Sequence, residues 1–393
     1  MILNLNDFEP LARRRLPRPL FGYVSGAAET GAAGSDNRDA LDELRLVPRV
    51  LRGVEGRSSR AHLLGREWSA PFGIAPMGIS ALMAKDGDLA LTGAAARANI
   101  PFVLSGSSLT PMEEIVARNP DAWFQAYLPG ETDKIRSLID RAGRAGFRTL
   151  VLTADTAVLA NRENNLRAGF STPLRLTPRL LWDFAIRPRW VFGTFLPTLI
   201  RRGLPHFENS AATRGAPIIS AQAARDFGRK DHLNWEHLAL MRDIWPGKLV
   251  LKGVLAPQDV ARARNVGCDG VILSNHGGRQ LDHAISPLRL LRQARDAAGD
   301  LPLMVDGGIR RGTDVVKALA LGADHVFIGR PFLYAATIGG EPQVNRAIAI
   351  LKEEIHRNLG LLGLRHIDEL DERVIYPLSA VWLNVMNQGG RGQ

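Results

Sequence analysis

The run Gly270-Val271-Ile272-Leu273-Ser274-Asn275-His276-Gly277-Gly278-Arg279-Gln280-Leu281-Asp282 carries the pattern on which the fold turns. Its four leading apolar residues suit a short buried strand, and the polar residues begin where that strand must end. A histidine and an arginine then stand three apart with two glycines between them. The histidine can accept a proton near neutral pH, the arginine is a permanent cation, and the glycines let the backbone approach a ligand closely. Alone, a histidine after a strand is more often structural. Its meaning depends on whether the rest of the chain repeats the pattern.

The repeat is there, eightfold. β-like runs occupy 72–77, 101–105, 123–128, 149–155, 249–254, 270–275, 303–306 and 325–329. Most are rich in Val, Ile, Leu and Phe, as strands buried on both faces must be. Helical patterns separate them, for example at 88–98, 133–145, 258–265, 287–298 and 313–321. Eight alternating units predict an α/β fold, a closed (β/α)8 TIM barrel spanning 1–393 as one domain. A doubly wound open sheet is the alternative, but no GxGxxG opens a first βα turn. Residues 1–65 form an N-terminal helical extension containing Phe21-Gly22-Tyr23-Val24-Ser25-Gly26-Ala27. Residues 173–247, after the fourth strand, make an insertion far longer than a usual βα loop. The Gly-rich end, 389–393, is expected to fray.

Composition narrows the functional classes. Of the 393 residues 45% are hydrophobic, which is ordinary for a globular chain. The net charge of +10 comes with 43 arginines and 7 lysines, and such a surface favours anionic partners. No dense basic run with interleaved aromatics marks a nucleic-acid groove, so no nucleic-acid partner is expected. Cys268 is the only cysteine, which excludes an internal disulfide and a cysteine-based metal cluster; no metal is expected. The first residues lack the basic start and apolar core of a signal peptide, and no stretch reaches the ~18 apolar residues that span a bilayer. A cytoplasmic protein is the expectation.

The insertion qualifies that. Between Leu174 and Gly203 lie Trp182, Phe184, Ile186, Trp190, Val191, Phe192, Phe195, Leu196, Leu199 and Ile200. Arg175, Arg179, Arg187, Arg189, Arg201 and Arg202 are interleaved with them, against the single acid Asp183. Arginines flanking aromatics suit an anionic lipid surface. The competing reading is a lid packed on the barrel, or a contact between subunits.

In a barrel the strand C-termini share one mouth, where active sites are built. Reading off those ends gives Pro76-Met77-Gly78, Ser105, Gln125 with Tyr127, and Thr153 with Asp155. Lys252 ends the fifth strand; Ser274, His276 and Arg279 follow the sixth; Asp306 to Arg310 end the seventh, and Gly329-Arg330-Pro331 the eighth. So many convergent polar groups would be an odd way to build a core. Gly307, Gly308 and Gly329 lie just before helix starts near Gly312 and Pro331, where backbone N–H groups with Arg310 and Arg330 would cradle a phosphate. Lys252 sits in an otherwise apolar strand and needs an anionic or electron-rich ligand, such as a reduced flavin, or else a structural salt bridge.

With these residues in view, the chain resembles the FMN-dependent α-hydroxy-acid oxidising family, whose members include glycolate oxidases, lactate dehydrogenases and mandelate dehydrogenases. The likeness covers nearly the whole length. It rests most specifically on 274–282, supported by Trp123-Phe124-Gln125-Ala126-Tyr127, Leu152-Thr153-Ala154-Asp155-Thr156 and 306–310. It implies FMN as cofactor, His276 as active-site base, and Asp155 as the group that orients it. It implies that Arg279 and Arg162 clamp the substrate carboxylate with Tyr23, while Tyr127 contacts the substrate oxygens. Lys252 would hold the flavin N1/O2 edge, and Pro76, Met77, Gly78, Ser105, Gln125, Thr153 and Ser274 the isoalloxazine and ribityl parts. Asp306, Gly308, Arg310, Gly329 and Arg330 would bind the phosphate end. The chemistry agrees: oxidising a 2-hydroxy acid removes a proton and two electrons, and side chains are poor electron acceptors, so a cofactor must supply that capacity.

Departures from the family pattern fall around the substrate. Ala126 stands where leucine is usual, Ala157 where proline is common, and Ser107 is small where glycolate oxidase has tryptophan. They imply an enlarged side-chain pocket. Gly78 resembles the family's dehydrogenases, and 174–203 corresponds to the membrane-binding insertion of bacterial mandelate dehydrogenases; Asn234-Trp235-Glu236 and Ala284-Ile285-Ser286-Pro287 look closest to that branch. The resemblance thus implies a homotetrameric dehydrogenase, peripheral on the inner face of the cytoplasmic membrane, that oxidises an L-2-hydroxy acid and reduces quinone. The nearest rival is a soluble oxidase that uses O2 and releases hydrogen peroxide. An inosine-monophosphate dehydrogenase would need a nucleophilic cysteine after the sixth strand, and Cys268 precedes it. A non-enzymatic barrel would lack a flavin absorption band.

Overall fold

Eight short parallel strands define the molecule, and their residues explain why. The computed structural model describes residues 1–171, 177–220, 230–379 and 382–383. The strands are β1 (Phe72–Ile74), β2 (Val103–Ser105), β3 (Trp123–Ala126), β4 (Thr149–Thr153), β5 (Lys248–Val254), β6 (Gly270–Leu273), β7 (Leu303–Asp306) and β8 (His325–Ile328). Each pairs in parallel with its sequence neighbour, β8 returns to β1, and a parallel bridge between Ile74 and Phe102 joins β1 to β2. The result is the expected (β/α)8 barrel. Inside it, Val103, Trp123, Val151, Val250, Ile272, Met304 and Phe327 pack as one cluster. Leu63 and Trp68, from a hairpin of Ala61–Leu63 and Arg66–Trp68, join that cluster and plug the end opposite the mouth.

The expected strand limits need correction at the mouth. The runs 72–77, 123–128, 149–155, 270–275 and 325–329 leave the ladder at Ile74, Ala126, Thr153, Leu273 and Ile328. Single bonds still reach the neighbouring strand just beyond, as from Ala75 N–H to Ile328 O at 3.0 Å and Ala154 N–H to Lys252 O at 2.9 Å, and the chain then turns over the mouth. The second run starts at Val103 and not at 101, because Pro101 has no N–H to give the ladder. The fifth begins one residue early, at Lys248. Helices fall within a residue of expectation, as at Gly87–Ala98, Thr132–Ala145 and Pro287–Ala298.

The extension forms helices Phe8–Arg15, Arg18–Ser25 and Ala32–Asp42. The third is fastened across the mouth by the residues that follow β6. Asp282 accepts bonds from the Thr30 N–H at 2.9 Å and the Ala33 N–H at 3.1 Å, and Ala28 N–H donates to Gly278 O at 2.8 Å. Asn37 and Asn275 exchange side-chain amide bonds at 2.8 and 2.9 Å.

In the insertion, helix Pro178–Ala185 is followed by helical chain from Pro188 to Arg202, with a wide π-type turn at Val191–Phe195. Trp190 is buried, donates its indole N–H to Leu82 O at 2.7 Å and stacks on Phe195. That face packs as the lid reading expected. The other face leaves Leu181, Trp182, Phe192 and Ile200 exposed by 56, 68, 69 and 84%. Leu174 and Arg175 lie outside the described residues, as do 384–393. Among the described residues no helix is long and apolar enough to cross a membrane, and no cluster of three or more His, Cys, Asp or Glu could hold a metal.

Candidate active site

The chain leaves β6 through three successive left-handed residues: His276, Gly277 and Gly278 have φ of 58, 66 and 76°. Glycine is needed at 278, because a Cβ there would lie 2.4 Å from the Gly34 backbone nitrogen. At His276 the left-handed backbone stores strain of about 1 kcal/mol, offset in part by a 2.9 Å bond from its N–H to Ser274 Oγ. What the strain achieves is an aim. The His276 Nδ1 lies 3.0 and 3.1 Å from the two Asp155 carboxylate oxygens. Gly253, also left-handed, makes room behind: a Cβ would come within 2.7 Å of Asp155 Cβ.

Burial pushes the His276 imidazole below its usual pKa, and the neighbouring Asp155 only partly restores it. Burial raises Asp155, but His276 and Lys252 more than reverse that, leaving it below the ordinary carboxylate value. The pair therefore rests as neutral imidazole and carboxylate, ready to take a proton.

Next to it stand two guanidinium groups. Arg279 donates to Val24 O at 3.2 Å and Gly26 O at 2.8 Å, and lies 5.1 Å above the Tyr23 ring. Arg162 donates through Nε to Arg279 O at 3.0 Å and through a terminal nitrogen to Gln280 Oε1 at 2.6 Å. Gln280 in turn donates to Asp155 O at 3.0 Å. Burial, then repulsion from Arg162, pushes Arg279 down to about 9. Among the described residues no acid pairs with either arginine, so an incoming carboxylate would relieve two cations at once. Burial, with Asp155 and Tyr23, raises the Tyr127 phenol, which stays protonated and can donate.

The other half of the mouth is built for a larger ligand. Lys252 is buried and donates to Ser274 Oγ at 2.7 Å, with Asp306 Oδ2 at 2.9 Å. The salt bridge and the ligand-facing position expected as alternatives are both present. Gln125 Nε2, Thr153 Oγ1 and Asp306 Oδ1 are buried without a hydrogen-bond partner, a costly arrangement unless a ligand completes it. Arg310 and Arg330 are close and half-buried; desolvation, then Arg330, pushes Arg310 down to about 10. Arg330 also donates to Gly277 O, tying this end to the histidine loop.

One of the two helix starts expected to cradle a phosphate is taken up within the protein. The N–H groups of Arg310 and Arg311 are taken by Asp314 at 2.8 and 3.0 Å, and that of Gly312 by Glu354 at 2.6 Å. The helix start near Gly312 thus has little to offer a phosphate, and the cationic partners there are the side chains of Arg310 and Arg330.

One cavity of about 600 Å³ joins both halves, within the range of small-molecule sites. Its walls include Tyr23, Pro76, Met77, Gly78, Tyr127, Thr153, Arg162, Lys252, His276 and Arg279, with Asp306, Gly308, Arg310, Gly329 and Arg330 at the far end. Asp155, Ser105, Gln125 and Ser274 lie behind the wall: Asp155 orients His276, Ser105 donates to Gln125 Oε1 at 3.3 Å, and Ser274 receives Lys252. The sequence reading missed Asn37, Arg38 and Lys230, which also line the cavity. Arg38 donates to Gly308 O at 2.6 Å, and Lys230 is buried with its ammonium 4.5 Å from the Tyr127 ring centroid. None has a local signature. Gln280 and Asp282 were in view, but their partners lie more than a hundred residues away.

A barrel mouth with a proton acceptor at one end, and at the other a cationic pocket with unpartnered buried polar atoms, suits an enzyme that holds an anionic cofactor. The sequence profile of the FMN-dependent dehydrogenases matches residues 12–377. An (S)-mandelate dehydrogenase of Pseudomonas putida is 38% identical over 94% of this chain and 92% of its own. An L-lactate dehydrogenase of a Caulobacter species is 34% identical over 95 and 98%. The solved structure of a monotopic membrane protein, (S)-mandelate dehydrogenase, superposes with a TM-score of 0.89 at 38% identity, covering 96% of this chain and 99% of the other. The chain belongs to the FMN-dependent dehydrogenase family, and FMN is its cofactor.

Proposed function

We propose that the chain oxidises an L-2-hydroxy acid, mandelate- or lactate-like, to the 2-oxo acid and delivers the electrons to a membrane quinone. The observation that carries this is the His276–Asp155 pair beside two arginines that no acid among the described residues neutralises, in one cavity with Lys252. Arg279 and Arg162 would take the carboxylate, with Tyr23 beside them, and so fix the α-carbon. The Tyr127 phenol would donate to the substrate oxygens. With Nδ1 held by Asp155, His276 presents Nε2 as the proton acceptor, and Asp155 stabilises the imidazolium that forms. Bound FMN supplies the two-electron acceptor that the side chains lack. Lys252 would sit at its N1/O2 edge. Pro76, Met77, Gly78, Ser105, Gln125, Thr153 and Ser274 would hold its ring and ribityl chain, using the unpartnered atoms of Gln125 and Thr153. Asp306, Gly308, Arg310, Gly329 and Arg330 would hold the phosphate end.

The exposed face of Trp182, Phe192 and Ile200, and the monotopic relative, support peripheral attachment to the membrane. The same reading includes a homotetramer, checked by sedimentation. Anaerobic bleaching of the flavin with glycolate, lactate, mandelate and longer 2-hydroxy acids tests the chemistry. FMN-loaded protein that none of them bleaches would refute it. Oxygen consumption with stoichiometric peroxide would replace quinone by O2 as acceptor.

A further inference from the structure

The insertion does not stand alone on its side of the barrel. We infer that residues 11–18 of the N-terminal extension form the cationic half of the membrane-docking surface, binding the headgroups of anionic phospholipids. This rests on the membrane reading above and adds to it a second, separate segment.

Leu11-Ala12-Arg13-Arg14-Arg15-Leu16-Pro17-Arg18 holds four arginines and no acid. Phe8, Ala12 and Leu16 are buried and anchor this stretch, while Arg13, Arg14 and Arg18 are exposed. The anchor places them against the insertion. Arg187 Nε donates to Leu16 O at 3.1 Å, a Cβ at Gly193 would meet an Arg15 terminal nitrogen at 3.2 Å, and helix Arg18–Ser25 packs on helix Pro178–Ala185. The turn touched is the one that exposes Ile186, Arg189 and Phe192. The arginines thus border the apolar face.

Charge is the second observation. Among the described residues, none of Arg13, Arg14, Arg15, Arg18, Arg187 and Arg189 forms an ion pair with an acid. Nearby, the fold does pair its arginines: Arg167 with Glu163, Arg201 with Asp86, and Arg202 with Asp86 and Glu114. Burial, and then Arg189, hold Arg15 below its usual pKa, a sign of crowded like charge. Gathering cations without acids costs stability unless an external anion compensates. An apolar, aromatic face rimmed by arginines matches a bilayer of anionic lipid, with side chains in the acyl boundary and guanidinium groups on the phosphates. An acidic protein would offer the charge but nothing for Trp182, Phe192 and Ile200 to enter.

The experiment is co-sedimentation of the FMN-loaded protein with vesicles of phosphatidylcholine alone or mixed with phosphatidylglycerol, at low and high salt. The variant Arg13→Gln/Arg14→Gln/Arg18→Gln spares Arg15, which is bonded to Ile338 O. Each basic side chain near an anionic surface contributes about five-fold in partition, so the triple variant should bind mixed vesicles about 100-fold more weakly at low salt. Binding to phosphatidylcholine and the rate of flavin reduction should be unchanged. Trp182→Ser/Phe192→Ser should weaken binding to both kinds of vesicle. If the triple variant binds mixed vesicles as the parent does, the inference falls and the membrane reading stands. If the parent binds neither, both fall.

Discussion

Replacing Asp155 with Asn keeps the shape beside His276 and removes the charge. At 3.0 Å, with an effective dielectric constant of about 20, the imidazolium–carboxylate attraction is about 5–6 kcal/mol. Asn retains an acceptor oxygen, and the hydrogen bond it keeps is about 1–1.5 kcal/mol. The loss in stabilisation of the protonated base is then about 4 kcal/mol, or about 10³-fold in rate. The assay is anaerobic stopped-flow reduction of the flavin, with FMN content measured from the same sample. An α-deuterated substrate reports whether C–H cleavage limits the step. The pH profile adds a signed check. Burial holds the His276 pKa below the usual imidazole value while Asp155 pulls it upward, so activity falls only once pH drops through that lowered pKa. Without the carboxylate the acid limb should move further down, not up. A reduction rate within tenfold of the parent, with full FMN, would show that Asp155 does not stabilise the base.

Arg279→Lys should raise KM for the 2-hydroxy acid by about 10–100-fold with a smaller change in kcat, since an ammonium cannot reach carboxylate and Gly26 O with a planar fork; steady-state kinetics decide. Lys252→Met leaves the Asp306 carboxylate buried and unpaired, at a cost of about 3–5 kcal/mol, and should lower both FMN occupancy and Tm. His325 is fully buried, and burial pushes its pKa down to about 3, only partly opposed by backbone hydrogen bonds at Asp324 and Phe72. Its neutral form favours the fold above pH 6.5, and stability should be lost by about 1.4 kcal/mol per unit as pH falls from there toward 3. His325→Leu should flatten that slope in urea titrations at pH 7 and pH 5; an unchanged slope would remove His325 as its source.

How much of this was readable from the residues depends on range. Val271-Ile272-Leu273 and its seven counterparts are strands because unbroken apolar runs of that length can only be buried on both faces, and the barrel follows from their number. Most of the cavity wall was legible for the same reason: strand ends converge by geometry once the barrel is granted. What sequence could not carry is contact across the chain. The capture of the Arg310, Arg311 and Gly312 N–H groups by Asp314 and Glu354 takes the helix start near Gly312 out of the expected phosphate cradle, and only the fold brings Glu354 there. Asn37 and Arg38 enter the site from a helix before the first barrel strand, with no periodicity to mark them. In the insertion, composition could not separate Trp190, buried against Leu82, from Trp182, turned outward.

The bond between Asn37 and Asn275 has a consequence for how the protein is made. The two residues are 238 apart, and Gly278 closes on Gly34 across a similar span. At ~5–20 residues per second of synthesis, the N-terminal helices emerge roughly 10–50 s before the loop that fixes His276 exists. Through that interval the apolar faces of Phe8, Ala12 and Leu16 have no barrel to cover them. A chain released early would hold several strands and no placed histidine. Competence would then arrive late and all at once, when the eighth strand returns to the first and closes the barrel beneath a segment that has been waiting since the start.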